Sequence, residues 1–139
     1  MKNYELIEHT ADVGIRVSGN DLKEVFIKAA SAMFDIIAKP CSVCCKLKFK
    51  NIQIKENAED EEQLLVEWLN ELLSLSEIKE LIFCKFKIEK LTQNQLEAVV
   101  SGYPRENYKI KTEIKAATYH ELKIEKNDSG YQAQLIFDV

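Results

Sequence analysis

Two stretches of the chain repeat apolar residues at the three- and four-residue spacing of an amphipathic helix. The first is predicted from Asp21 to Ala38, because Asp21 is suited to cap the N-terminus and Pro40 excludes continuation. The second follows the acidic run at 59–62, whose charge suits a helix N-terminus, and is predicted to end near Ser76. The apolar stripes are expected to form most of the core: Leu22, Val25, Phe26, Ala29, Ala30, Met33, Phe34 and Ile37, then Leu64, Leu65, Trp68, Leu69, Leu72 and Leu73.

The rest of the chain alternates apolar and polar residues, which is typical of β-strands. The order of elements predicts an α+β fold, with two amphipathic helices packed on a largely antiparallel β-sheet in a single domain, residues 1–139. The predicted strands are 4–7, 14–18, 43–54 with a bulge near Asn51, 82–88 and 96–100 around a turn at 92–94, then, after an irregular loop at 102–108, 110–116, 120–126 and 131–138.

Composition limits the classes of partner. The 139 residues carry 19 basic and 23 acidic side chains, interspersed along the chain, for a net charge of −4. Strong autonomous binding to nucleic acid is therefore not expected, and a protein partner or a small ion is favoured. The first twelve residues carry acids and no continuous apolar core, and no segment is long enough to span a membrane. We expect a cytoplasmic protein without a membrane partner.

Common catalytic motifs are missing from the sequence. It contains no phosphate-binding glycine loop, no GxSxG, no HExxH and no EF-hand spacing, and it has only four glycines. His9 and His120 have the chemistry of a general acid, a base or a metal ligand, but histidines beside strand ends are more often structural. We therefore predict a protein that is not an enzyme, with no catalytic residue.

The four cysteines allow two interpretations. Cys41 and Cys44 have the CxxC spacing of a zinc site, but a second ligand pair would have to come from Cys84, His9 and His120. The interpretation we favour is that all four cysteines, including Cys45, are reduced and partly buried thiols.

The most informative polar residues are carboxylates near the two ends of the chain. Asp12 and Asp138 both lie where a predicted strand stops, and the terminal carboxylate of Val139 follows directly. If the fold joins the ends, three anionic groups converge and need a cation, and hard oxygen ligands favour Ca²⁺ or Mg²⁺. Asp12 could instead be an ordinary turn or cap residue that binds no metal. Lys115 lies in the predicted strand 110–116, where most lysines are solvated residues on a strand face.

Four blocks of sequence, in order along the whole chain, resemble the archease family. The run YELIEHTADVGIR at 4–16 strongly resembles the N-terminal signature of that family, and LLVEWLNELL at 64–73 resembles its second helix. EIKAATYHEL at 113–122 and AQLIFDV at 133–139 are similar to its lysine segment and to its ending in aspartate plus an aliphatic residue. One departure is the stretch 102–105, where the family often has a Gly-Glu pair and a further acid.

The resemblance implies a small α+β protein that activates the GTP-dependent RNA ligase sealing tRNA exons, without being the ligase. In that family the protein promotes guanylylation of the ligase's active-site histidine and multiple turnover. The implied metal site is Asp12, Asp138 and the Val139 carboxylate, with Ca²⁺ or another divalent cation such as Mg²⁺ or Mn²⁺. Partner activation is implied for Asp12, Lys115 and Asp138, with His9 and His120 in support, and RNA is expected only indirectly, through the ligase.

Two other functions are compatible with the residues. A general protein-binding chaperone would use an exposed sheet edge or an apolar patch to hold immature partners. A metal-dependent hydrolase would use the same carboxylates with His9 or His120 as the base, although nucleophile and substrate-pocket motifs are missing.

Overall fold

Both helices begin at an aspartate that binds a backbone N–H group of the first turn. The structure is a computed structural model that describes residues 4–8, 12–40 and 50–139. Helix α1 spans Leu22–Ile37, and the Asp21 carboxylate accepts a hydrogen bond from the backbone nitrogen of Glu24 at 2.9 Å. Helix α2 spans Glu61–Lys79, and Asp60 accepts one from the backbone of Gln63 at 2.7 Å. These bonds satisfy N–H groups that have no partner inside the helix.

Helix α2 is one turn longer than the apolar spacing predicts. It continues beyond Ser76 to Lys79 and ends at Glu80, which adopts a left-handed conformation with φ of 55°. The added turn carries Ile78, whose side chain is 70% exposed, so it adds no buried position to the stripe.

The described residues form ten strands that pair into three antiparallel sheets. The largest sheet has the order β1-β2-β10-β8, with β9 also paired to β10; the other sheets have the orders β4-β6-β5 and β3-β7. This confirms the predicted α+β class with a mostly antiparallel sheet. The strands are β1 Glu5–Glu8, β2 Asp12–Gly19, β3 Ala38–Pro40, β4 Lys50–Asn57, β5 Leu81–Leu91, β6 Gln95–Pro104, β7 Tyr108–Ile110, β8 Ala116–Ala117, β9 Lys123–Asn127 and β10 Gly130–Asp138.

The core lies between the helices and the sheets. Helix α1 packs against β2 and β5, and α2 packs against β5 and β8, so the two larger sheets share one apolar interior. Trp68, Phe26, Phe83 and Phe137 are among its largest fully buried side chains. The Trp68 indole donates a hydrogen bond to the backbone oxygen of Phe26 at 3.0 Å and so joins α2 to α1. Each large apolar side chain contributes about 1.5 to 3 kcal/mol when buried.

The bulge predicted near Asn51 is wrong. Strand β4 pairs with β6 without interruption, from Lys50 opposite Gly102 to Asn57 opposite Gln95. The earlier part of that predicted strand, 43–49, lies outside the described residues.

The bulges lie in β5 instead. Its register against β6 shifts between Phe83 and Lys85 and again between Ile88 and Lys90. Phe83, before the first shift, is buried, and Cys84, the extra residue at the shift, is exposed. A bulge adds one residue to one strand, which reverses the alternation beyond it.

The segment after β6 also differs from the prediction. Residues 102–108 are not one irregular loop, because β6 continues to Pro104 and a 3₁₀ helix, Arg105–Asn107, follows. Gly102 permits this continuation, since a Cβ atom there would lie 2.4 Å from the backbone oxygen of Ile82 on β5. The strand predicted at 110–116 is wrong over 111–115, which lie between the end of β7 at Ile110 and the start of β8 at Ala116. The strand predicted at 120–126 begins at Lys123, after a turn at 118–122.

Candidate functional site

The antiparallel register of β2 and β10 places Asp12 directly opposite Asp138. Asp12 is the first residue of β2, Asp138 is the last residue of β10, and the two are Cα partners. Directly opposed residues project to the same face, with Cβ atoms roughly 4.5 to 5.5 Å apart. The two carboxylates therefore lie side by side, with Asp12 half-buried and Asp138 exposed.

The acidic pair lies on the outer face of the largest sheet. Along β10, Asp138 alternates with the core residue Phe137 and therefore shares the face of Ile136. Ile136 lies opposite Gly14, and a Cβ atom on Gly14 would lie 3.0 Å from the Cβ of Ile7 on β1. Ile136 is itself only 3% exposed, so the apolar side chains beside the two carboxylates are covered.

The arginine on this face is engaged elsewhere. Arg16 donates hydrogen bonds to Glu5 and to Gln134, both at 3.1 Å. It is four residues from Asp12 along an extended strand, which corresponds to roughly 13 Å. Arg16 is therefore too far along the strand to neutralise the acidic pair directly.

Lys115 reaches the pair through its backbone. Its backbone nitrogen donates to the backbone oxygen of Asp138 at 2.7 Å, and the next residue, Ala116, is the Cα partner of Asp138 on β8. Lys115 is exposed and lines a cavity of about 480 Å³ on the side of α2. The cavity is also lined by Ile37, Asn70, Leu73, Ser74, Ser76, Glu77, Arg105, Glu113, Ile114 and Ala116.

Asn70 fixes β8 in place from helix α2. Its Oδ1 accepts a hydrogen bond from the backbone nitrogen of Ala117 at 2.8 Å, and its Nδ2 donates to the backbone oxygen of Ala117 at 3.1 Å. The Asn70 side chain thus makes the two hydrogen bonds to the Ala117 backbone that a neighbouring strand would otherwise make. Because β8 carries the contacts to Asp138, Asn70 positions the candidate site. The only signal in the sequence was a polar residue beside the apolar stripe of α2.

Thr118 holds the other end of β8. Its backbone nitrogen and its hydroxyl group both donate to the backbone oxygen of Ile136, at 3.0 and 2.8 Å. The hydroxyl also accepts from the backbone nitrogen of His120 at 3.3 Å. These bonds define the turn at 118–122 that follows the site.

The predicted histidines and cysteines are either exposed or outside the described residues. The side chain of His120 is exposed, with its Nε2 3.6 Å from Glu121 Oε2. His9 lies outside the described residues, as do Cys41, Cys44 and Cys45. Cys84 is an exposed cysteine on β5.

The chemistry of the acidic pair fits a hard divalent cation. Two carboxylates on one face are the protein ligands that Mg²⁺ commonly takes, completed by water or phosphate oxygens. Within the described ranges, no group of three or more His, Cys, Asp or Glu side chains is arranged to hold a metal ion. A third protein ligand would therefore have to be something other than a His, Cys, Asp or Glu side chain of the described residues. The terminal carboxylate predicted at Val139, the residue after Asp138, is such a group.

A second acidic pair lies between β4 and α2. Glu56 shares the inner face of β4, opposite the buried Leu96, and faces Glu71 and Glu67 of α2. The pKa of Glu56 is raised to about 7, chiefly by partial burial and further by the negative charge of Glu71, a hydrogen bond to Glu71 and the charge of Glu67. Below about pH 7 Glu56 is therefore protonated and donates a hydrogen bond to Glu71.

Comparison with known proteins places the chain in a family. The model of the Archease protein family matches residues 4–139. The chain belongs to the archease family. A curated archease of Methanosarcina acetivorans is 41% identical over 99% of this chain and 97% of the relative, and one of Pyrococcus abyssi is 40% identical over the full length of both.

Two solved structures share the archease fold. The solution structure of Methanobacterium thermoautotrophicum protein 1598 superposes with a TM-score of 0.73 at 32% identity and covers 100% of both chains. The crystal structure of a Thermotoga maritima protein, described as "an archease, possible chaperone", gives a TM-score of 0.66 at 25% identity over 96% of this chain and 94% of that one. In this archease, no helix of the described part is long and apolar enough to cross a membrane.

Proposed function

We propose that this archease is a cytoplasmic, non-catalytic cofactor of the GTP-dependent RNA ligase that seals tRNA exons. It promotes guanylylation of the ligase's active-site histidine and multiple turnover. The observation that supports this proposal is the direct pairing of Asp12 with Asp138, held beside Lys115 by a backbone hydrogen bond of 2.7 Å. The predicted activation residues from three separate sequence blocks are thus neighbours.

In this proposal the acidic pair is the metal-binding end of the protein. Asp12, Asp138 and the carboxylate that Val139 carries where it ends the chain hold Ca²⁺ or another divalent cation such as Mg²⁺ or Mn²⁺. Asp138 is exposed and Asp12 half-buried, so the pair faces a partner while β2 and β10 keep the carboxylates at a fixed separation. A bound divalent cation supplies electrostatic stabilisation to nucleotide phosphates.

Lys115 is assigned to contact with the ligase. Its side chain is exposed and lines the cavity beside α2, while only its backbone is bonded to Asp138. A lysine in this setting binds an anionic group of the partner or of its nucleotide. Asn70 and Thr118 act through the backbone of β8 and are positioning residues.

The test is transfer of radiolabelled GTP to the cognate ligase at limiting divalent metal. Wild-type protein is compared with Asp12→Asn, Asp138→Asn and Lys115→Ala. The matched controls are Asp128→Asn, in the exposed turn before β10, and Lys123→Ala, an exposed residue of β9. We expect the three site variants to lose activation and both controls to retain it. Equal labelling of the ligase with and without wild-type protein would remove the proposal.

The second candidate is a general protein-binding chaperone, the role named in the description of the Thermotoga maritima protein. The large exposed apolar side chains of the described chain, however, belong to separate elements: Leu6 of β1, Ile78 of α2, Ile110 of β7 and Tyr119 of the turn after β8. This distribution favours the ligase activator over a chaperone with one broad apolar patch. A chaperone would suppress aggregation of unrelated proteins equally well after Asp12→Asn.

A further inference from the structure

The sheet formed by β4, β6 and β5 turns one face away from the helices. On β6, Leu96, Ala98 and Val100 are buried in the core, so the residues between them project to the opposite face. The residues of β4 and β5 that pair with these β6 residues lie on the same outer face. Its three rows are Lys85, Ser101 and Asn51; Lys87, Val99 and Gln53; and Lys90, Glu97 and Lys55.

This outer face is basic in a protein that is acidic as a whole. It carries four lysines, all exposed, against two acids, Glu97 and the exposed bulge residue Glu89 of β5, whereas the full chain has a net charge of −4. Three of the four lysines lie within six residues of β5, and strand pairing through β6 adds Lys55. Within the described residues, no ion pair involves Lys55, Lys85, Lys87 or Lys90.

The spacing of the lysines suits an extended polyanion. Lys85, Lys87 and Lys90 follow one strand, so they cover roughly 17 Å, and Lys55 lies two strands away, at roughly 10 Å. Between these lysines lie neutral groups that form hydrogen bonds. The Ser101 hydroxyl donates to the Asn51 side-chain oxygen at 2.5 Å, which leaves the amide N–H groups of Asn51 as donors.

The composition of this face favours nucleic acid over a protein or a membrane. Protein interfaces are depleted in lysine and rely on aromatic and arginine anchors. The three rows contain four lysines and no aromatic or arginine residue. Membrane-surface binding needs apolar side chains that enter the lipid, and the apolar residue in the rows is Val99, which is half-buried. Lysines with neutral hydrogen-bonding groups bind phosphates and ribose hydroxyls.

We propose that the outer face of β4, β6 and β5 binds the backbone of single-stranded RNA. The four lysines bind phosphates, and Asn51 and Gln53 bond to ribose 2′-hydroxyl groups. Binding is independent of base sequence, because contacts to phosphate and sugar carry no direct sequence information. This goes beyond the proposed function, in which RNA is reached only through the ligase.

The experiment is fluorescence anisotropy of a labelled oligouridylate of about 12 nucleotides, a length that covers a typical single-strand site. The face variant combines Lys55→Gln, Lys85→Gln, Lys87→Gln and Lys90→Gln. The control variant combines Lys23→Gln, Lys79→Gln, Lys109→Gln and Lys123→Gln, which are exposed residues of four other elements. The two variants have the same net charge, and circular dichroism checks the fold of each.

We expect the control to bind like wild type and the face variant to bind at least about tenfold more weakly. Each lost phosphate contact should also reduce the slope of log affinity against log salt by about 0.7. Equal weakening in both variants, or wild-type binding too weak to measure at low salt, would overturn the proposal.

Further arms separate RNA from other anions. Oligodeoxythymidylate of equal length should bind more weakly than the RNA, because it lacks the 2′-hydroxyl. Stronger face-dependent binding to phosphatidylserine vesicles or to polyglutamate would overturn the RNA assignment. Guanylylation of the ligase without RNA should be unchanged in the face variant, so failure of this proposal is distinguishable from failure of the proposed function.

Discussion

Two pairs of neighbouring carboxylates in this protein repel each other in different surroundings. Glu56 and Glu71 lie between β4 and α2, where the pKa of Glu56 is raised to about 7, chiefly by partial burial, and its proton removes one negative charge below that pH. Asp12 and Asp138 lie side by side at the outer end of two strands, where a divalent cation can enter. We therefore expect that access to the pair decides whether a proton or, as proposed for Asp12 and Asp138, a metal ion compensates the repulsion.

The largest expected effect is a loss of ligase activation when the Asp12 and Asp138 pair is changed but not when the Glu56 and Glu71 pair is changed. Asp12→Asn with Asp138→Asn should reduce ligase guanylylation at limiting metal by about 10- to 100-fold, because it removes both charged ligands. Glu56→Gln with Glu71→Gln is the matched control and should leave activation unchanged. The initial rate of label transfer measures both. Equal losses in the two double variants would break the distinction.

Next in size is the effect of metal on stability. At a Ca²⁺ concentration of about 100 times its Kd, binding should raise the free energy of unfolding by about 2.7 kcal/mol. Thermal unfolding followed by circular dichroism, with Ca²⁺ or with EDTA, measures the difference. Asp12→Asn with Asp138→Asn should abolish it, and Glu56→Gln should not. A full effect in the Asp12 and Asp138 double variant would place the metal elsewhere.

A smaller effect should follow from the positioning of β8. Asn70→Ala removes two hydrogen bonds to Ala117 and should lower the free energy of unfolding by about 2 kcal/mol. It should also weaken ligase activation, since β8 holds Asp138. The control is Asn57→Ala, an exposed residue at the end of β4, expected to change stability by less than about 0.5 kcal/mol. Denaturant unfolding at constant pH compares them.

The smallest effect concerns the pH dependence of the inner pair. Glu56 holds its proton up to about pH 7 in the folded state and loses it near the ordinary value of 4.5 in the unfolded state. The folded state binds more protons in this window, so its stability falls as pH rises from 4.5 through 7. Glu56→Gln should remove this fall and stabilise the protein above pH 7 by about 1 kcal/mol, a value reduced by solvent screening.

Stability measured across this range in wild type and Glu56→Gln tests the prediction. Lys55→Gln, the neighbouring exposed residue on β4, provides a control that should retain the wild-type slope. Parallel pH profiles in wild type and Glu56→Gln would show that Glu56 does not carry the dependence.

Local patterns in the sequence predicted both helices and most strands, because capping and periodicity are properties of neighbouring residues. The limits appear where distant strands determine the conformation. The bulges of β5 depend on its pairing with β6, and the short β8 depends on Asn70 in α2. Neither contact leaves a periodic signal near the residues it changes.

The candidate site shows the same division. Asp12 and Asp138 were selected because they lie beside predicted strand ends near opposite ends of the chain, and the structure shows them paired in register. The sequence predicts this pairing only if the fold joins the two chain ends, since strand order cannot be read from either strand alone. Asn70 was not singled out, because its role lies in two backbone hydrogen bonds to a residue 47 positions away.

The buried bond between the two helices has a spectroscopic consequence. Trp68 is the single tryptophan of the chain, is fully buried and donates its indole N–H to Phe26. Its fluorescence emission should therefore lie at short wavelength in the folded protein and move to longer wavelength when α1 and α2 separate. The acidic pair lies on the opposite side of the largest sheet from the core, so cation binding there should leave the emission wavelength unchanged. The protein thus contains an intrinsic optical reporter of helix packing.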